Sequence, residues 1–593
     1  MTLLPLTIER LEALSRCAID WVAAHPRRAA AVLAALTLVA YLPGLLALPP
    51  VDRTEVVYAQ MAREMLARGD LLDAAYQGER FAFRPIGITW LQAAAGALLG
   101  KDAHSAIATY RLPSLLGGLL AVLSLWWLLR PLIGNRGALI AAALFAVTPI
   151  VALQAELAIP EGPLLFAIVV AQVTLLRLYC AADPRRGTRG LALLFWAAQG
   201  SSILLNALAV PILSLATLLA LFVLDRDLAW LKRLRPLLGV PLMLLIAAPW
   251  LLVRAHVDGG VPFSGLSVSE LVRALGGAQA MKWKAAPLTF TLALLLGFLP
   301  GALLLVPALK GLWEHRTAAL QRFLLSWIVG YWVYLELIAS KPALYTVQAM
   351  FPAAAAACAL ALDKDGRLAI PDYMLRLPAW LVAPGMAALF AGVLWIAAAP
   401  PGVTVVLGAL LVTVLFTVAA LAARARLAAA WLSLSVAGFA LFLGFTFGVL
   451  LPHLEKGWPA TRIAEAIAPL QRCVVGPVGV VGLREPSTVF VLGAKAATNP
   501  ETIASRIVSG DESIAVVGSL WHEDLQRALQ ARGGKLPRRA GCVDAFNAMR
   551  GCPLTFSIYV TGAPKLDPGC KVPARFACTG APPAAPAAAS RCR

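Results

Sequence analysis

Asp52, Arg53 and Glu55 fall within four residues, directly after the first long apolar run of the chain. Glu55 opens a helix-like stretch in which Val57, Met61 and Met65 recur at spacings of four, and this apolar stripe is expected to lie on the bilayer surface. Acids at such a boundary suit a substrate with a lipid tail and a polar head. A carboxylate there can take a proton from a hydroxyl, and a guanidinium can hold phosphate oxygens bidentately. Arg84, in Phe83-Arg84-Pro85-Ile86-Gly87-Ile88-Thr89-Trp90, and Arg111, in Tyr110-Arg111-Leu112-Pro113-Ser114, supply fixed positive charge near the same face. Farther along come the acid Glu161 and the block Ser340-Lys341-Pro342-Ala343-Leu344-Tyr345. Each of these residues also has a plain use: acids cap interfacial helices, and arginines snorkel to lipid headgroups.

The elements that must position them are membrane helices. The chain has 593 residues, 60% hydrophobic and 14% charged, with mean hydropathy +0.77. Soluble chains carry about 45–50% apolar and about 25% charged residues. This gap excludes an ordinary cytosolic enzyme, a disordered chain and a nucleic-acid-binding domain. The net charge of +19 sits largely in short loops between apolar runs, so no nucleic-acid partner is expected. The six histidines are scattered singly, and neither a metal nor a cofactor is expected.

A span needs roughly 20 mainly apolar residues. About thirteen such runs begin near residues 30, 112, 137, 161, 190, 207, 236, 286, 319, 346, 378, 402 and 427. Every second short loop is basic, as at Arg130 and Arg136, at Arg185, Arg186 and Arg189, and at Arg424 and Arg426. Basic loops face the cytoplasm. The reading is a cytoplasmic segment 1–29, a transmembrane domain 30–455 with outer loops 49–111 and 255–285, a small periplasmic α/β domain 456–580, and a disordered tail 581–593. Short apolar runs at Val474–Gly482, Val489–Gly493 and Ile514–Gly518 alternate with polar stretches such as Trp521–Arg532, which gives the last domain its α/β pattern. Cys473, Cys542, Cys552, Cys570, Cys578 and Cys592 all lie in this segment, and an even set in one soluble domain predicts disulfides and an oxidising compartment.

The order Asp-Arg-x-Glu-x-x-Tyr-Ala from Asp52, Arg-x-Met-Leu from Arg63, Gly69-Asp70, the Arg84-Pro85-Ile86-Gly87 block and Tyr110-Arg111-Leu112-Pro113-Ser114 resembles the bacterial family-39 glycosyltransferases. That group includes the lipid A aminoarabinose transferases and is similar to the protein O-mannosyltransferases. The resemblance runs over roughly residues 30–360 and takes in Gln154-Ala155-Glu156 through Glu161 and the Lys341–Tyr345 block. Arg484-Glu485-Pro486-Ser487 with Val489–Gly493 resembles a C-terminal segment of some members. The resemblance implies an all-α polytopic GT-C fold in the bacterial inner membrane. It implies inverting transfer of a sugar from a polyprenyl-phosphate carrier to a periplasmic lipid, glycan or protein acceptor. It also puts the carrier phosphate at Arg84, Lys341 and Tyr345, with Arg111 a further candidate.

The chain departs from that pattern. Thr54 stands where the family has an acidic base, Glu161 replaces the usual Asp, Arg84 the usual Lys, Thr89 the usual Tyr, and Gln199-Gly200 a Lys-Gly pair. An active enzyme must then draw its carboxylate from Asp52 or Glu55, ranked nearly equal, with Glu161 as an acceptor-orienting acid. Two other readings stand beside it: a catalytically silent relative that binds a lipid carrier or partner, and a transporter.

Overall fold

The computed structural model describes residues 3–51, 54–72, 74–77, 79–80, 85–100, 106–183, 187–257, 286–337, 344–362, 402–474, 476–483, 485–493, 498–511, 513–547, 552–561 and 570–578. An amphipathic helix α1 (Leu3–Ala23) leads into α2 (Pro26–Ala47), whose start is set by Pro26 in the first helical turn. α3 (Thr54–Arg68), a two-residue hairpin β1 (Ala75–Tyr76) and β2 (Glu79–Arg80), and α4 (Gly87–Leu99) fill the expected first outer loop. α5 runs Ile107–Ala146. Straight, its 40 residues would measure about 60 Å, twice the ~30 Å hydrocarbon core. It is broken by a kink at Gly134, whose φ of +76° suits glycine, and its two parts cover the runs expected near 112 and 137. α6 (Pro149–Glu156), α7 (Glu161–Tyr179), α8 (Thr188–Asn206), α9 (Ala209–Asp225) and α10 (Pro236–Val257) follow.

Among the described residues five helices are long and apolar enough to cross a membrane, or six if the bent pair Thr289–Gly297 and Ala302–Glu314 is one span. The run expected near 378 lies outside the described residues. α7 is the centre of the bundle: 83% of its apolar window is buried in protein, against 28% for Val405–Arg424. At one end the basic turns meet. Arg136 pairs with Asp20 at 3.3 Å, Arg233 donates to the carbonyls of Leu178, Tyr179 and Ala181, and Arg322 pairs with Asp225 at 3.0 Å. Glu12 of α1 accepts from the backbone N–H groups of Ala429 and Ala430 at 3.3 and 2.8 Å, so it caps the helix Ala428–Phe445 at that same end.

Of the stripe expected to rest on the bilayer, Met61 and Met65 are covered by protein, while Val57 is only half-buried. Met61 and Met65 are buried, and α3 packs with Ile86, Ala93, Ile107, Tyr110, Ala158 and Phe490. Spacing of four marks an apolar face but does not say whether lipid or protein covers it.

The last segment holds a four-stranded sheet in the order β3-β4-β6-β5, made of β3 (Val478–Val481), β4 (Ser513–Gly518), β5 (Arg539–Asn547) and β6 (Cys552–Thr561). β3 and β4 run parallel, and the other two pairs are antiparallel. Val489–Gly493 is not a strand: Pro486 starts the helix Pro486–Leu492 there. Disulfides join Cys473 to Cys570 and Cys542 to Cys578. The side chain of Cys552 and all of Cys592 lie outside the described residues. The bridges close sequence separations of 97 and 36 residues, so reduction should destabilise this segment by about 2–4 kcal/mol per bridge. Thermal unfolding with and without reductant measures the shift; ready labelling of Cys542 without reductant would contradict the pairing.

Candidate functional site

The site is built where α5 and α7 touch. Gly162 lies against Ser114 so closely that a Cβ on it would stand 2.5 Å from the Ser114 carbonyl oxygen and 2.8 Å from its Cα. Gly117, one turn on, packs on the backbone of Gly162 and Pro163. Small residues permit this approach. The Ser114 hydroxyl donates to the Ile159 carbonyl at 2.8 Å, and Gln92 Nε2 of α4 donates to the Ala158 carbonyl at 2.9 Å. The turn 157–160 is therefore held from two sides. Glu161, the first residue of α7, is 4% exposed and sits where the helix dipole favours a negative charge.

The same turn is tied to α3. Glu55 Oε1 accepts from Arg111 Nε at 2.7 Å and from the Ala158 N–H at 2.8 Å. Its Oε2 accepts from the Val51 N–H at 2.8 Å and from Arg111 Nη2 at 3.0 Å. Arg111 Nη1 donates to the carbonyls of Leu45 and Leu48 at 3.1 and 2.7 Å, and Nη2 to that of Pro49 at 3.0 Å. Side-chain exposures are 0% for Arg111 and 1% for Glu55. The bidentate pair thus binds the end of α2, the start of α3, the start of α5 and the turn before α7.

This geometry alters two expectations. Arg111 was a candidate for the carrier phosphate, yet all five of its N–H groups already have protein acceptors. Glu55 was a candidate base, yet its two oxygens each accept two hydrogen bonds, which fills the lone pairs of a carboxylate. Both side chains are engaged in tying α2, α3, α5 and the turn before α7 together, a clamp within the scaffold. Thr54, at the position of the expected acid, is the exposed first residue of α3. Asp52, Arg84 and Lys341 lie outside the described residues. So does the side chain of Tyr345, whose backbone belongs to the 3-10 turn Leu344–Met350.

Sequence reasoning gave no role to three buried polar groups nearby. Glu156 is wholly buried against Gly44 of α2, and neither carboxylate oxygen has a hydrogen-bond partner among the described residues. Among the described residues both side-chain polar atoms of Gln154 and the Oε1 of Gln348 are likewise unpartnered, in residues 2% exposed. Their signal in the sequence is a carboxylate or amide inside an otherwise apolar run. Gln199 and Gln172 both donate to Ser214 Oγ, at 2.7 and 3.1 Å, so the position of the missing lysine is used to join α8, α7 and α9. Among the described residues no three His, Cys, Asp or Glu gather as metal ligands.

The C-terminal segment reaches this end of the bundle. Arg63 of α3 donates to the Phe490 carbonyl at 3.1 Å and lies 4.6 Å from its ring, and Tyr110 meets the same ring edge-on at 6.0 Å.

Residues 83–253 match the family of dolichyl-phosphate-mannose-protein mannosyltransferases. Undecaprenyl phosphate-α-4-amino-4-deoxy-L-arabinose arabinosyl transferase 1 of Pseudomonas fluorescens is 31% identical over 51% of this chain and 53% of its own length. The corresponding transferase of Pseudomonas aeruginosa is 28% identical over the same shares. The chain spans about half the length of the curated relatives it matches. The crystal structure of ArnT from Cupriavidus metallidurans bound to undecaprenyl phosphate superposes with a TM-score of 0.66 at 18% identity, covering 89% of this chain and 97% of that one. The apo form gives 0.64 at 20% identity, with the same coverage. The chain thus has the GT-C fold and resembles, in sequence, the aminoarabinose transferases and the protein mannosyltransferases.

Proposed function

We propose that this protein transfers a sugar from a polyprenyl phosphate to an acceptor at the outer face of the bacterial inner membrane. The observation that carries the reading is the clamp of Glu55 and Arg111, which fixes the turn before Glu161 at the end of the bundle opposite the basic loops. In this topology the N-terminus is cytoplasmic and the segment 456–580 is periplasmic, in keeping with its disulfides.

The chemistry needs positive charge on the leaving phosphate, an oriented acceptor, and a base where the acceptor is a hydroxyl. Arg84, Lys341 and Tyr345 take the phosphate. With Glu55 engaged in the clamp, the carboxylate duties pass to Glu161 and Asp52. An inverting displacement places the acceptor on the far side of the sugar from the phosphate. An acceptor that is itself an ionised phosphate needs little deprotonation, which is compatible with Thr54 in the acid position. Lipid A is the acceptor class suggested by the resemblance to the aminoarabinose transferases; other lipids, glycans and proteins are the alternatives. The test is transfer of radiolabel from undecaprenyl-phosphate sugars by the purified protein.

Arg84→Ala and Lys341→Ala should each weaken binding of undecaprenyl phosphate by about 1.5–3 kcal/mol, the usual scale for a hydrogen bond to a charged group. Calorimetric titration in detergent measures this. Unchanged affinity in both variants removes the phosphate assignment.

A further inference from the structure

A groove opens on the side of the bundle far from Glu55. Its volume is about 540 Å³, within the range of roughly 300–1,000 Å³ typical of ligand sites. It lies between α2, α5, α7 and α8, and its lining includes Arg27, Ala30, Trp127, Phe166, Val170 and Leu194. Apart from Arg27 and Ser124 every lining residue is apolar. Three of the four helices around it, α2, α5 and α7, are long and apolar enough to cross a membrane, so hydrocarbon is the medium that the groove meets.

Charge sits at its rim. Arg27 is exposed and has neither a hydrogen bond nor an ion pair among the described residues. The Arg130 guanidinium lies 5.1 Å from the Trp126 ring and 5.0 Å from the Trp127 ring, and its Nε donates to Asn135 at 2.9 Å. Both rings line the groove, so this second cation is held at the edge by stacking. Trp127 is 55% exposed, as befits an indole at a membrane–water boundary. We propose that the groove seats an acyl chain of an anionic phospholipid, with the lipid phosphate between Arg27 and Arg130. Two cations without an acidic partner between them favour a headgroup of net negative charge over a zwitterionic one. The groove is separate from the Glu55–Arg111 clamp: Trp127 follows Arg111 by 16 residues of α5, about 24 Å along the helix axis.

The full-length protein in neutral detergent is titrated with dioleoyl phosphatidylglycerol and, separately, dioleoyl phosphatidylcholine, and bound lipid is counted by native mass spectrometry. The anionic lipid should be retained more strongly, by about fivefold for each arginine engaged. Arg27→Gln changes an exposed, unpartnered side chain and should bring retention of phosphatidylglycerol close to that of phosphatidylcholine. Ala30→Trp fills the groove and should lower retention of both lipids, with circular dichroism confirming the fold. Equal retention of the two lipids by the wild type would overturn the proposal. So would phosphatidylglycerol retention that is unchanged in Arg27→Gln or in Ala30→Trp.

Discussion

Glu55→Gln is expected to lower stability by about 3–5 kcal/mol, the cost of leaving one partner of a buried ion pair uncompensated. Arg111 cannot follow its charge to solvent, because its side chain is fully buried and three backbone carbonyls hold it in place. The amide also has one acceptor oxygen where the carboxylate served four donors. Unfolding in detergent, followed by circular dichroism, reads the loss. The double variant Glu55→Leu/Arg111→Leu removes both charges and should recover part of it. Recovery stays incomplete because the Val51 and Ala158 N–H groups then lose their acceptor. The experiment also separates clamp from catalyst. A Glu55→Gln protein with wild-type stability and no transfer would return Glu55 to the role of base.

Gly162→Ala should reduce transfer by about 10²-fold, because displacements near 1 Å at a reacting centre have effects of that size. The added methyl would meet the Ser114 carbonyl oxygen at 2.5 Å. That neighbour is backbone, so α5 and α7 must part. Glu161 is the adjacent residue and moves with them. Overpacking of this kind typically destabilises by about 1–3 kcal/mol, although alanine is the better helix former by about 1 kcal/mol. A fall in stability against that propensity would isolate the packing term. Gly190→Ala is the control: nothing lies within 4 Å of the Cβ position there, and transfer should be unchanged. Wild-type turnover in Gly162→Ala would show that the α5–α7 contact does not position the site.

Hydropathy and basic loops made much of the bundle legible. The runs near 112 and 137 became one element of 40 residues kinked at Gly134, between Arg130 and Arg136. The runs near 190 and 207 proved to be two helices, parted at Ala207. The late cysteines announced their bridges by number alone, but not their pairing. The clamp was not legible. Glu55 and Arg111 are 56 residues apart, and a motif lists both as charges at one face without saying that each neutralises the other. Local spacing also left the cover of Met61 and Met65 open, since lipid and a neighbouring helix select the same residue types. Phe490 shows the same limit: in a short apolar run it reads as strand, while Pro486 and the contact with Arg63 make it a helical plug on α3.

The most direct test of the account is sugar transfer by the reconstituted protein, using radiolabelled undecaprenyl-phosphate sugars with lipid A as first acceptor. Wild type, Asp52→Asn, Glu161→Gln and Thr54→Asp are compared at saturating donor. The account predicts transfer by the wild type and a loss of about 10²–10⁴ in rate on removing the carboxylate that serves as base. Full turnover in both neutral variants would contradict the mechanism. An inert wild-type protein that gains transfer only as Thr54→Asp would contradict the central claim, and would mark the chain as a silent relative that has kept the fold without the chemistry.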